Sequence, residues 1–124
     1  DGTVPLGKLS YVLEKTAEIV ERFGLRVANV FHAGDGNMHP LILFNANDPE
    51  EAMKAEEAGN EILKLCVDAG GCLTGEHGVG IEKRDLMRHQ FTQPELDQQM
   101  AIRSAFDEQW ILNPSKVFPL EGRR

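Results

Sequence analysis

Two stretches with helical periodicity, each closed by glycine, bracket a pair of β-rich runs, and this order leaves few folds open. In residues 6–23, Leu9, Val12, Leu13, Thr16, Ile19, Val20 and Phe23 recur at the spacing of one helix face. Pro5 precedes that stretch and Gly24 follows it, as the ends of a helix favour. A second helix opens at Asn47-Asp48-Pro49-Glu50-Glu51, where Asp48 suits the cap, Pro49 the first turn and Glu51 the capping-box position. Its apolar face comprises Ala55, Gly59, Ile62, Leu63, Cys66 and Val67, and Gly70-Gly71 stops it.

Between the helices, residues 25–31 and 41–44 read as strands, joined by a connection at 32–39 rich in turn residues. Thr3-Val4 reads as the end of an earlier strand and residues 72–74 as a short last one. The order is then β-α-β-β-α-β, an α+β ferredoxin-like antiparallel sheet with both helices on one face. Two further C-terminal helices are expected, over 81–89 and about 94–110. Thr92 and Glu95 cap the second, and Asn113-Pro114 breaks it. Residues 1–124 are expected to form a single domain.

Composition narrows the function classes. The net charge of −7, from 20 acids against 13 bases, argues against a nucleic-acid partner and against docking on anionic lipid. Apolar residues are too plentiful for a disordered chain. No apolar run approaches the roughly 18 residues of a transmembrane helix, and residues 1–6 lack the features of a secretory leader. Cys66 and Cys72 form no C-x-x-C pair and read as free thiols of a reducing compartment, so a cytoplasmic location is expected. The abrupt opening Asp1-Gly2-Thr3-Val4-Pro5 is expected to be part of something longer.

The densest polar cluster is His32-Ala33-Gly34-Asp35-Gly36-Asn37-Met38-His39. Histidines flanking a turn on neighbouring strands can aim both imidazoles at one point, which suits a borderline metal such as zinc. The plain alternative is a tight turn whose histidines cap strand ends. The second cluster is Gly75-Glu76-His77-Gly78-Val79-Gly80. Adjacent side chains diverge in an extended loop, so Glu76 could join His32 and His39 while His77 faces a substrate as general base. Here the plain alternative is a glycine-rich loop with a surface Glu and His. The loop lacks the full dinucleotide fingerprint and the Lys-Ser/Thr of a P-loop. His89 reads as a solvated helix end, Cys66 as core, and Trp110 as core or an interface with an absent domain.

Together with Ile111-Leu112-Asn113-Pro114-Ser115-Lys116-Val117-Phe118-Pro119, these two clusters resemble the C-terminal domain of FAD-linked oxidases of the vanillyl-alcohol-oxidase type. The likeness is nearest to the members that oxidise glycolate, D-lactate and D-2-hydroxyglutarate, and it covers essentially the whole chain. It implies oxidation of a small 2-hydroxy acid to a 2-oxo acid, with hydride passing from C2 to the flavin. It implies that His32, His39 and Glu76 hold a divalent metal, that His77 is the base on the substrate hydroxyl, and that Asn113 lies close to the flavin. Zinc suits such a donor set, and manganese or iron would also fit.

The resemblance also implies that FAD is bound mainly by an N-terminal domain absent here, and that the substrate-carboxylate residues lie largely upstream of Asp1. The expected partners are that FAD domain and other oxidase subunits, which could bring the protein to a membrane. The sequence departs from the family at Leu41, where some members carry Asn, at Ser115, where Gly is common, and at Gly7, where Ser or Thr is common. The chain alone is therefore expected to bind FAD poorly and to have no turnover. Two other readings stay open on the sequence: a stand-alone metal-dependent hydrolase and a non-catalytic ferredoxin-like interaction module.

Overall fold

The structure is a computed structural model that describes residues 1–119. It divides into two compact units, Asp1–His77 and a second beginning at Gly78.

The first unit contains β1 (Gly2–Thr3), α1 (Leu9–Arg22), β2 (Arg26–His32), β3 (Asn37–Leu43) and α2 (Pro49–Asp68). Its three strands form an antiparallel sheet in the order β1-β3-β2. The fourth strand expected at 72–74 is reduced to one antiparallel bridge between Thr3 and Cys72. That bridge sits beyond β1, so the sheet keeps the ferredoxin-like order with its last strand cut short. Just downstream, the N–H groups of Gly75, Glu76 and His77 donate to the Asp1 side chain.

The helices form where expected and bury the expected stripes. On α1, Val12, Thr16 and Val20 are fully buried, one turn apart. On α2 the deepest residues are Ala55, Ala58, Ile62 and Cys66. Met38 of β3 packs into the same core with Val4 and Leu25. Burial of a side chain the size of Ile62 or Met38 contributes about 1.5–3 kcal/mol.

Asp48 caps α2 through the N–H groups of Glu50 and Glu51. The Glu51 carboxylate reaches back past the cap and accepts from the Asn45 N–H at 3.1 Å. The reciprocal half of the expected capping box is therefore made with the approach to the helix. Cys66 is buried, Cys72 is exposed and neither forms a disulfide.

The hairpin differs from expectation in length. β2 runs through His32, a single 3-10 turn covers Ala33–Asp35, and β3 already begins at Asn37. His39 thus lies inside a strand. Gly36 closes the turn at φ 66°, and its carbonyl accepts from the Val4 N–H at 2.9 Å, which docks the end of β1 onto the turn. With His32 opposite Asn37 and Val30 opposite His39, all four share one face of the sheet. Val27, Phe31, Met38 and Ile42 take the other face, and of these Val27, Met38 and Ile42 belong to the core under the helices. The face turned away from the helices also carries Leu41 and Leu43, both about half exposed.

In the second unit, a 3-10 turn at Arg84–Leu86 runs into the short helix α3 (Met87–Gln90). The helix expected at 81–89 is thus shortened, and residues 79–84 form turns, with the Lys83 N–H donating to the Val79 carbonyl and the Arg84 N–H to that of Ile81. Gly80 also spends its carbonyl on the Val117 N–H. His89 is exposed in the last turn of α3. Helix α4 (Gln93–Phe106) starts at the expected Thr92–Glu95 capping box, with the Thr92 N–H 2.7 Å from the Glu95 carboxylate.

Helix α4 stops short of the expected end. The Asp107 carboxylate accepts from the N–H groups of Ile111 and Leu112 and turns the chain. Burial alone would raise the Asp107 carboxyl, but those N–H donors and the Arg103 guanidinium outweigh it and hold it below the usual carboxylate range. Trp110 therefore lies off the helix, at φ 56°, with its ring over the Arg103 guanidinium and its Nε1 donating to Ser104. Among the described residues, no helix is long and apolar enough to cross a membrane.

Two substitutions test this packing by urea unfolding. The Thr16 hydroxyl is buried with no hydrogen-bond partner, so the isosteric change Thr16→Val is expected to stabilise the chain by about 1 kcal/mol. A Cβ on Gly71 would overlap the Thr3 carbonyl. Gly71→Ala is expected to lower the stability by about 3 kcal/mol, because backbone rather than a flexible side chain must move.

Candidate functional site

On the open face of the sheet, β2 ends with His32 and β3 begins with Asn37, followed two residues later by His39. Strand alternation sends these three side chains the same way. His39 is well shielded, at 14% exposure of its side chain, whereas His32 is open at 58%. The two rings stand edge to face with centroids 5.3 Å apart.

Glu76 arrives from the loop after the Thr3–Cys72 bridge. Its Oε1 lies 3.0 Å from His39 Nε2 and 3.3 Å from His32 Nε2. The donor atoms of His32, His39 and Glu76 all lie within 4.8 Å of one another. The Asn37 amide donates to the same Oε1 at 3.3 Å. Gly75 makes this approach possible, since a Cβ there would overlap the Asn37 amide. Glu76 and His77 do not diverge as adjacent residues of an extended loop would. Both end against His39, Glu76 at its Nε2 and His77 with its ring centroid 4.8 Å away.

These donors suit a divalent ion. His39 Nε2 is buried and makes no hydrogen bond, although Glu76 Oε1 is only 3.0 Å away. The two groups are close without being aligned for a proton between them, as donors aimed at a common centre would be. A tetrahedral ion with bonds of about 2.1 Å needs neighbouring donors about 3.4 Å apart, close to the two separations observed here. Asn37 Oδ1 is likewise buried and unpartnered beside the site.

The structure therefore gathers His32, His39 and Glu76, with His77 beside them. Asn113 belongs to the unit beginning at Gly78, in the turn after α4, at φ 45°. Sequence reasoning passed over two residues. Asn37 read as an ordinary turn residue, and Asp1 as the end of a strand. The Asp1 side chain is wholly buried. Its Oδ2 accepts from the N–H groups of Gly75, Glu76 and His77 at 2.9, 2.7 and 3.1 Å, and its Oδ1 lies 3.6 Å from His77 Nδ1. Strand alternation held the signal for both. Thr3 pairs with Asn37 and Gly2 with Met38, so Asp1 continues on the face of Asn37 and His39.

The chain matches known proteins along nearly its whole length. Residues 1–117 match the family model described as FAD linked oxidases, C-terminal domain. The chain is 54% identical over 119 residues to the glycolate oxidase subunit GlcD of Escherichia coli (strain K12), covering 96% of this chain and 24% of that protein. It is 32% identical over 124 residues to GlcD of Bacillus subtilis (strain 168), covering 100% of this chain and 26% of that protein. It is 37% identical over 121 residues to the mitochondrial D-lactate dehydrogenase [cytochrome] of Kluyveromyces lactis, covering 98% of this chain and 20% of that protein. The chain thus spans about a quarter of the length of these relatives. With nearly all of its residues inside the family's pattern, it belongs to the C-terminal domain family of FAD-linked oxidases.

Proposed function

We propose that this chain is the substrate-activating part of a flavin-dependent 2-hydroxy-acid oxidoreductase acting on a small acid of the glycolate or D-lactate type. The observation that carries the reading is the convergence of His32, His39 and Glu76 within 4.8 Å, with the His77 ring against His39. The relatives' names, oxidase and dehydrogenase, favour redox chemistry over hydrolysis at the same donors.

A divalent ion held by His32, His39 and Glu76 would supply Lewis acidity toward the substrate hydroxyl, and FAD, held by a domain outside this chain, would supply the hydride acceptor. The donor set favours zinc, with manganese and iron as the other fits. The chain's own part is acid–base. His77 takes the proton of the substrate hydroxyl while C2 loses hydride, so the carbinol carbon becomes the carbonyl of the 2-oxo acid. The Nδ1 of His77 faces the Asp1 carboxylate, which leaves Nε2 as the nitrogen that accepts. Asn37 steadies the Glu76 oxygen that both imidazoles approach.

Asn113 is assigned to the flavin side, on its match to the family's last motif. The half-exposed Leu41 and Leu43 share the sheet face of the site, and the FAD domain of the same protein would close over that face to bring the flavin to the substrate. We place the protein in the cytoplasm because its two cysteines, Cys66 and Cys72, do not make up a disulfide framework, with any membrane attachment carried by other oxidase subunits.

Three measurements test this reading. Elemental analysis is expected to find one divalent ion per chain, lost in His39→Ala and Glu76→Ala but kept in His77→Ala. In the complete enzyme, His77→Ala is expected to slow oxidation of the 2-hydroxy acid by about 100- to 10,000-fold. A metal-free parent chain, or a His77→Ala enzyme of full rate, would refute it. The third measurement is the visible spectrum of the purified chain alone, which is expected to carry no stoichiometric flavin. A yellow protein would place the flavin site within these residues instead.

A further inference from the structure

The loop that delivers Glu76 and His77 has little regular structure of its own. It is bonded to β1 at Cys72, whose N–H and carbonyl pair with the Thr3 backbone and whose N–H also reaches Thr3 Oγ1. The backbone of the next residues is tied to a buried carboxylate, that of Asp1.

We infer that Asp1 is the positioning residue of the centre: its buried carboxylate fixes the loop that presents Glu76 to His32 and His39 and sets His77 beside them. The inference rests on the metal-binding reading above. Asp1 Oδ2 collects the N–H groups of three consecutive residues, Gly75, Glu76 and His77. Such a concave set of amides is a nest for an anionic oxygen. Asp1 Oδ1 accepts the Thr74 hydroxyl at 3.2 Å and faces His77 Nδ1. Every residue from 74 to 77 is therefore tied to one carboxylate.

The consequence for the site is geometric. Three amides converging on one point fix the peptide planes on both sides of Glu76, and with them the directions of the Glu76 and His77 side chains. Charge-assisted hydrogen bonds of this kind are about twice as strong as neutral ones, so replacing the charge matters even where shape is kept. Asp1 itself stands apart from the converging donors, which are His32, His39 and Glu76. It acts through the loop and touches no substrate.

The test is metal binding by the full chain, read by titration calorimetry with Zn²⁺ and by the visible absorption of the Co²⁺ form. Asp1→Asn keeps the size of the side chain but loses the charge and turns one acceptor into a donor facing other donors. It is expected to weaken Zn²⁺ binding by about 10- to 100-fold and to alter the Co²⁺ spectrum, a signature that lower stability alone would not move. Equal Zn²⁺ affinity and an unchanged Co²⁺ spectrum in Asp1→Asn, with tight binding by the parent, would overturn the role of Asp1 and leave the metal reading intact. A parent chain that binds no ion would overturn both. Should Asp1→Asn fail to fold, amide exchange in the ion-free parent decides the matter. The N–H groups of Gly75, Glu76 and His77 are expected to exchange slowly before any ion is added, and fast exchange there would overturn the inference.

Discussion

Strand β3 pairs with β1 on one side and β2 on the other, and its register fixes both the core and the site. Met38 points under the helices and is 1% exposed. Its neighbours Asn37 and His39 point to the open face. A slip of one residue would send Met38 to solvent and drive the amide and imidazole into an apolar core. That exchange forfeits the burial of a large side chain and leaves two polar groups without partners, so each of its terms opposes the slip. The hydrophobic core under α1 and α2 thereby enforces the geometry of the polar face above it.

The two kinds of donor are held by different means. His32 and His39 stand on strands, where the sheet sets their direction without help from the side chains. Glu76 stands on a loop whose backbone pairs with the sheet at the Thr3–Cys72 bridge. Loop donors need support from partners, and here the support comes from distant parts of the sequence. Asn37 grips the carboxylate of Glu76, and Asp1 grips its backbone. Gly75 lets the loop lie flat on the Asn37 amide. The site combines two stiff ligands with one that is tethered, leaving the His32 side open to solvent.

What was legible in the sequence was local. The helix faces of α1 and α2 were plain because burial repeats with the helical period. The Asp48 and Thr92 caps were plain because a cap is a short-range hydrogen bond. The pairing of the two histidine strands followed from turn residues between two β runs, although the turn proved shorter than its composition suggested. The missed features depend on long-range contacts. Asp107 ends α4 early by catching N–H groups beyond the helix, where the apolar pattern alone would continue. The hold of Asp1 on the Glu76 loop joins residues 75 apart in sequence through backbone amides, which carry no pattern of their own. Asn37 sits 39 residues from the carboxylate it holds. No window of sequence contains either pair.

The same reasoning explains why the spacing of His32 and His39 matters more than the residues between them. The connection holds Ala33–Asp35 in one tight turn and Gly36 in the left-handed region. It places Asn37 opposite His32, and His39 then falls on the same face two residues later. One residue more in that turn, with the strands still paired as they are, would shift the sequence of β3 against its pattern of faces. His39 would go into the core and its neighbours onto the open side. Gly36 also takes the β1 segment onto its carbonyl through Val4, so a longer turn would loosen the strand that carries Asp1. Turn length, strand register and the support of the Glu76 loop are one constraint, and a substitution that alters the first acts on all three.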